Sequence, residues 1–209
     1  MAALDQIKRW PVTSATAVVC VRGRTHTRVG ETDRVYPFAS VTKMFSAVAT
    51  LVACEQGLLE LDRPAGPPGS TIRHLLAHTS GLAFLERRAL AKPGRRRIYS
   101  NSGFDVLGEE VSRAVGAPFG DFLFRNVLQP LGLDLRLTGS PASGLAGTID
   151  DLAVFARELL EPRLVAARTL AEATSVQFEG LAGVLPGYGN QRPNDWGLGF
   201  EIRSHKQPH

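Results

Sequence analysis

A serine and a lysine three positions apart, Ser40 and Lys43, are the residues whose spacing points most directly to chemistry. On a helix, residues three apart share a face, so the hydroxyl and the amine would be neighbours. The residues around Lys43 are mostly apolar, and burial lowers the pKa of an ammonium group. A neutral amine beside a serine can accept the hydroxyl proton and so activate the oxygen as a nucleophile. Backbone N–H groups at the helix start would also favour a developing oxyanion.

The position of this pair in the chain is more informative than its spacing. A chain with twelve serines and four lysines contains Ser-x-x-Lys by chance about 0.2 times. Here Lys43 is the only lysine in the most apolar predicted helix, and it lies three residues after the predicted N-cap, Ser40.

The segment Tyr99-Ser100-Asn101 could support the same chemistry. A tyrosine hydroxyl near a lysine can relay protons, and an asparagine amide can hold a substrate carbonyl. We predict a loop here, directly before a helix capped by Ser102. A second copy of the pattern, Tyr188–Asn190, lies in a stretch rich in glycine and proline, and we interpret it as structural.

His78 follows a short predicted helix and begins the segment His-Thr-Ser-Gly-Leu. A histidine can act as a general base, but none of the five histidines has an acidic partner at a fixed spacing. We therefore interpret His78 as structural. A Ser-His-Asp triad remains open, although the chain has no Gly-x-Ser-x-Gly segment.

Composition limits the other functions. The chain is 44% hydrophobic and 21% charged, and it has no apolar run of eighteen residues, so we expect no membrane span. The net charge of +4 comes from scattered arginines. We interpret the only cluster, Arg95–Arg97, as a solvated loop, since it lacks the interleaved aromatics of nucleic-acid binding. Cys20 and Cys54 are expected to be buried free thiols, and no metal-ligand spacing is present. The first residues lack the apolar core of a secretory signal, so we expect a cytoplasmic chain.

The elements that must position Ser40 and Lys43 are predicted from apolar periodicity and helix-capping residues. The middle of the chain is helical and is flanked by strands, so we expect both ends to share one sheet: residues 1–57 and 190–209 would form an α/β sheet domain, and residues 58–189 a helical lobe. The predicted strands are Ala15–Arg22, Thr25–Gly30 and a half-buried Trp196–Arg203. The predicted helices are Val41–Gln56, Thr71–His78, one after Ser102, Pro118–Leu128, one after the N-cap Thr148, and Glu161–Thr174.

Taken together, the motifs resemble the serine β-lactamase and penicillin-binding-protein superfamily, in particular its branch of class C β-lactamases, D-alanyl-D-alanine carboxypeptidases and esterases. The order of the motifs and three further stretches support the likeness, and the resembling segments are Ser40–Lys43, Gly57–Pro64, His78–Leu82, Tyr99–Asn101, Ala146–Leu152 and Trp196–Phe200.

The resemblance implies an α+β fold, in which an antiparallel sheet is flanked by helices and a large all-helical lobe is inserted. It also implies that Ser40 is acylated, Lys43 accepts its proton, Tyr99 shuttles protons or acts as a second base, and Asn101 contacts the substrate amide. The reaction would be acyl transfer from an ester, an amide or a β-lactam of a small molecule, without metal or cofactor. The oligomeric state stays open.

One departure from the family pattern bears on activity. The family has a third motif, Lys-Thr-Gly or His-x-Gly, on a strand beyond the one that begins at Trp196, and this sequence ends at His209 without it. We therefore expect a C-terminally truncated fragment of a longer protein, with the apolar face of the Trp196 strand poorly covered. The alternative function is a non-catalytic ligand-binding or sensor module on the same fold.

Overall fold

The structure is a computed structural model that describes residues 4–21, 23–185, 187–204 and 206. Its α-helices are α1 (Thr42–Glu55), α2 (Ile72–Leu76), α3 (Asn101–Val115), α4 (Phe119–Leu123), α5 (Ile149–Leu160) and α6 (Ala167–Ala173). Its strands are β1 (Ala17–Val21), β2 (Arg24–Val29), β3 (Tyr36–Pro37), β4 (Arg97–Ile98), β5 (Ala146–Gly147), β6 (Gly183–Leu185) and β7 (Gly189–Gln191). Short 3-10 helices span Leu4–Arg9, Ala39–Val41 and Gln129–Leu131.

Helix α1 lies at the centre of the hydrophobic core, because its sequence is apolar on nearly every face. Phe45 of α1 stacks on Phe155 of α5, with ring centroids 3.6 Å apart. Helix α3 packs beside it through an apolar face at helical spacing, made by Phe104, Leu107 and Val111. None of the helices in the described ranges is long and apolar enough to cross a bilayer.

Side-chain caps fix where several helices begin. The predicted cap at Thr148 is confirmed: its hydroxyl accepts from the Asp151 N–H while the Asp151 carboxylate accepts from the Thr148 N–H, a reciprocal pair that satisfies two free helix donors. The predicted cap at Ser102 is wrong. Ser100 is extended and its hydroxyl accepts from the Gly103 N–H at 2.9 Å, so α3 begins one residue before Ser102.

Two predicted helices are shorter or less regular than expected. The segment Pro118–Leu128 begins as α4 and continues as a π-helix over Phe124–Leu128. The predicted helix Glu161–Thr174 is wrong in its first half. There, the buried Glu158 carboxylate accepts backbone N–H groups of residues 163 and 164, both at 2.7 Å, and so stabilises a loop before α6.

The strands form three small sheets among the described residues, and not one shared sheet. Strands β1 and β2 form an antiparallel hairpin, β3 pairs with β5, and β6 pairs in parallel with β4 and antiparallel with β7. The α+β class is thus confirmed, but the single antiparallel sheet is not observed. Arg22, predicted as the last residue of the first strand, lies outside the described residues. The division into a sheet domain and a helical lobe stays a prediction.

The predicted strand Trp196–Arg203 is wrong, since this segment turns back on itself. Gly199 has a φ of +85°, and the Gly197 N–H donates to the Phe200 carbonyl at 2.8 Å. A Cβ on Gly199 would lie 2.4 Å from the Ala47 side chain, so the turn sits directly on α1. Trp196 and Phe200 are therefore buried, and the apolar face that was expected to be poorly covered is not.

Candidate active site

Ser40 lies at the entrance of a cleft, in the 3-10 helix that leads into α1. The chain enters this turn from Phe38, whose N–H is held by the Leu145 carbonyl at 2.8 Å. Ala39 then has a φ of +46°, in the left-handed region that costs a residue with a side chain about 1–3 kcal/mol. The strained turn leaves Ser40 exposed to solvent, directly before the buried helix.

The Lys43 amine is buried behind Ser40, since it lies on the first turn of α1 and only 2% of the residue is exposed. Its nitrogen donates to the Asn101 side-chain oxygen at 2.7 Å, to the Ala142 carbonyl at 3.0 Å and to the Ser40 hydroxyl at 3.3 Å. Burial lowers the pKa of Lys43 to about 8, against the opposing charge of Asp105. The lowering predicted from the sequence is therefore observed, and it brings the pKa of the amine closer to neutral pH.

Tyr99 covers the other side of Lys43. Its ring centroid lies 4.7 Å from the Lys43 nitrogen. Burial raises the pKa of the Tyr99 phenol, and the nearby Ser40 hydroxyl opposes this to a smaller extent. The phenol therefore keeps its proton at neutral pH and can act as a donor.

Asn101 is the first residue of α3, which corrects its predicted place in a loop. Its side-chain oxygen is occupied by Lys43, so its NH₂ group is the part that can donate to a ligand. The structure thus brings the four predicted site residues, Ser40, Lys43, Tyr99 and Asn101, into one cluster, and their individual roles stay predictions.

His78 supports Tyr99 from behind. Its ring nitrogen Nδ1 accepts from the Ser100 N–H at 3.1 Å, and its ring centroid lies 4.5 Å from that of Tyr99. Burial holds the pKa of His78 well below its ordinary value. Because Nδ1 binds a backbone amide and not a carboxylate, the described residues hold no Ser-His-Asp triad around His78.

Arg97 is a site-supporting residue that sequence reasoning missed, since it was interpreted as part of a solvated loop. It is 1% exposed, and its guanidinium donates to the carbonyls of Ala77, Gln177 and Asn194 at 2.6, 2.7 and 2.9 Å. Burial lowers its pKa to about 10, so it stays charged. The bonds tie three separate segments to the strand that ends beside Tyr99, and no pattern in the sequence distinguishes Arg97 from its exposed neighbours.

The cleft in front of Ser40 has a volume of about 460 Å³. Sequence reasoning missed much of its wall, which includes Phe84, Trp196 and Glu201. Tyr188, interpreted above as structural, is exposed and also lines the cleft. The described residues contain no group of three or more histidine, cysteine, aspartate and glutamate side chains placed to hold a metal ion.

Comparisons with known proteins bear on the family and the fold of the chain. Residues 8–208 match the Beta-lactamase protein family. The chain is similar to the crystal structure of a beta-lactamase from Mycobacterium bovis, with a TM-score of 0.96 and 55% identity over 99% of this chain and 78% of that one. The described part of the chain therefore has the same fold as that protein.

Two curated relatives are more distant. The D-alanyl-D-alanine-carboxypeptidase/endopeptidase AmpH of Escherichia coli is 27% identical over 52% of this chain and 38% of its own length. Esterase EstB of Burkholderia gladioli is 32% identical over 48% of this chain and 38% of its own length. The chain thus spans well under half the length of these relatives.

Proposed function

We propose that this chain, which belongs to the Beta-lactamase family, is a serine hydrolase that forms an acyl-enzyme on Ser40. The observation that carries the proposal is the buried Lys43 amine, which lies 3.3 Å from the Ser40 hydroxyl and, among the described residues, donates hydrogen bonds to uncharged acceptors only. A lysine used only for solubility or for a surface ion pair would not be buried in this way, because burial of an ammonium group is costly.

The chemistry proceeds in two steps. The Ser40 oxygen bonds to the carbonyl carbon of the substrate, and its proton passes to the neutral form of Lys43. The bond from that carbon to the leaving group then breaks, and the leaving oxygen or nitrogen takes up the proton with Tyr99 as the relay. The Ser40 N–H, in the first turn of a helix, is a donor for the oxyanion. Water then hydrolyses the acyl-enzyme by the same proton transfers in reverse.

The substrate we propose is a small ester or amide. Because the Asn101 side-chain oxygen accepts from Lys43, its NH₂ group would be the donor to an amide or ester oxygen of the substrate. Relatives named as an esterase and as a carboxypeptidase make both bond types reasonable. A β-lactam is a cyclic amide and is the further member of this substrate class.

The test is labelling of the chain with a small alkyl fluorophosphonate, followed by intact mass spectrometry. We expect one adduct on the unmodified sequence, none on Ser40→Ala, and the full adduct on the control Ser175→Ala, which removes an exposed serine elsewhere. Absence of the adduct on the unmodified sequence would contradict the proposal. Ligand binding that persists unchanged in Ser40→Ala would then favour the non-catalytic binding module.

A further inference from the structure

A second hollow, which we call the side pocket, opens beside the cleft. It has a volume of about 300 Å³ and is lined mainly by the apolar and aromatic residues Phe84, Leu90, Ile98, Tyr99 and Val184, with Arg96 and the buried Arg97 completing the wall. Phe84 and Tyr99 also line the cleft in front of Ser40. The two hollows are therefore neighbours that share two aromatic walls.

The shared walls place the side pocket next to the reacting atoms. The Phe84 and Tyr99 rings are stacked, with centroids 6.0 Å apart and an interplanar angle of 25°. The Tyr99 phenol reaches the Ser40 hydroxyl on the cleft side. The side pocket and the cleft that Ser40 lines therefore adjoin at this aromatic pair.

The backbone around the side pocket is held by regular hydrogen bonds. Ile98 of β4 pairs with Val184 of β6 in a parallel register. The Asn101 N–H donates to the Phe84 carbonyl at 2.8 Å, and the Leu90 N–H donates to the Gly81 carbonyl at 2.8 Å. These backbone hydrogen bonds therefore fix the positions of the apolar residues that line the side pocket.

The chemistry of the walls identifies the kind of group that would fit. The aromatic and aliphatic side chains at Phe84, Leu90 and Val184 are each about half exposed, and an apolar ligand group would remove their surface from water. A cavity of about 150 Å³ holds a benzene molecule, so the side pocket has room for a longer chain or a fused ring.

We propose that the side pocket binds the apolar acyl group of the substrate, which makes medium-chain or aromatic acyl esters the preferred substrate class. This inference rests on the proposed function of Ser40. The acyl group stays bonded to Ser40 while the alcohol leaves and water enters, so it needs a place of its own outside the cleft. The cleft in front of Ser40, which Tyr188 and Glu201 also line, would then be left for the alcohol and for water.

The test compares two esters with the same leaving group, p-nitrophenyl acetate and p-nitrophenyl octanoate. Each methylene moved out of water favours binding about fourfold, and the octanoyl chain has six more than the acetyl group. Since the side pocket is partly open, we expect kcat/KM to be at least about tenfold higher for the octanoate. Val184→Trp fills the side pocket and should lower the ratio of the two kcat/KM values about tenfold.

The matched control is Val21→Trp, because Val21 is 50% exposed and Val184 is 48% exposed, and Val21 is the last residue of β1 and lines neither hollow. It should keep the ratio of the unmodified chain. If Val184→Trp does not fold, Leu90→Asp places a charge in the same pocket and should lower the ratio in the same direction.

A ratio that is unchanged by Val184→Trp or Leu90→Asp, or an unmodified chain that prefers the acetate, would overturn the side pocket while leaving Ser40 as the nucleophile. A chain that hydrolyses neither ester and takes up no fluorophosphonate would overturn the proposed function, and the side-pocket proposal with it. A parallel loss on both esters would indicate a structural effect and would also count against the acyl-binding role.

Discussion

Two buried lysines lie near the cleft, and they differ in the groups that accept their hydrogen bonds. Lys43 and Lys206 are each 2% exposed. Lys206 forms an ion pair with Glu201 at 3.1 Å and donates to the Asp195 carbonyl at 2.6 Å. Within the described ranges, Lys43 donates only to a hydroxyl, an amide oxygen and a carbonyl, all of them uncharged.

This difference indicates a structural role for Lys206, which stabilises one side of the cleft, and a proton-exchanging role for Lys43. Burial lowers the pKa of both amines, but at Lys206 the Glu201 carboxylate opposes the shift directly. At Lys43 the opposing charge is Asp105, whose carboxylate accepts a hydrogen bond from Ser140 and not from the amine. Neutral acceptors orient the Lys43 amine without stabilising its charged form, which leaves its pKa about 8 and close to the range useful for general base catalysis.

The largest effect on kcat/KM should come from removing the Lys43 amine, and removal of the Lys206 amine is the matched comparison. Lys43→Met is expected to lower kcat/KM for p-nitrophenyl acetate about 10³-fold, because a positioned proton acceptor contributes about 10²–10⁴-fold. Lys206→Met removes an equally buried ammonium group but should lower kcat/KM by less than about tenfold, since Lys206 contacts the cleft wall at Glu201 and Trp196 and not Ser40. Steady-state hydrolysis of the ester at pH 8 measures both.

If kcat/KM fell by similar factors in the two variants, the proposed difference between Lys43 and Lys206 would be wrong. A Lys43→Met variant that retains a tenth of the activity would contradict it as well. Circular dichroism spectra of both variants serve as the control, because a native-like spectrum would show that a loss of kcat/KM is not due to unfolding.

A second change gives Lys43 the charged partner that Lys206 has. Asn101→Asp places a carboxylate where the amide oxygen now lies 2.7 Å from the amine, and an opposite charge at this distance raises a lysine pKa by about 1–3 units. In the unmodified chain kcat/KM should rise with pH through about pH 8, where Lys43 loses its proton. In the variant this rise should move to higher pH, with a loss of about 10–100-fold at pH 7 that shrinks toward pH 10.

The second Tyr-x-Asn copy supplies the control for this experiment. Asn190→Asp adds the same charge at an exposed position of β7, and it should leave the midpoint of the pH profile in place. A loss in Asn101→Asp that is equal at all pH values would mean that Asn101 acts by binding substrate alone and that the Lys43 charge does not control the rate.

Local signals in the sequence were enough to predict the nucleophile side of the cleft. The apolar run around Lys43 predicts a buried helix, and the three-residue spacing places the amine beside Ser40 whatever the rest of the chain does. The capping pair Thr148–Asp151 is confirmed for the same reason, because its hydrogen bonds join residues within one turn.

The remaining parts of the site depend on contacts between distant segments, which no local pattern reports. Arg97 is buried because the carbonyls of Ala77, Gln177 and Asn194 converge on it, and in sequence it is one arginine of three. The segment after Trp196 alternates as a strand would, but its glycines let it fold onto α1, where a side chain at Gly199 would collide with Ala47. Alternation predicted the burial of its apolar residues and could not predict the path of its backbone.

The smallest effect should come from removing the partner of Lys206. Glu201→Gln removes the carboxylate that forms the ion pair with that ammonium, and we expect a loss of about 1 kcal/mol in the free energy of unfolding, because Glu201 is itself partly exposed to solvent. For a chain of this size the loss corresponds to about 2–4 °C in Tm. The control Glu86→Gln removes one partner of an exposed ion pair with Arg88 and should leave Tm unchanged. If Glu201→Gln were as stable as the unmodified chain, the carboxylate would not be what makes burial of Lys206 tolerable, and the contrast with Lys43 would have to rest on the Asp195 carbonyl and the Trp196 ring instead.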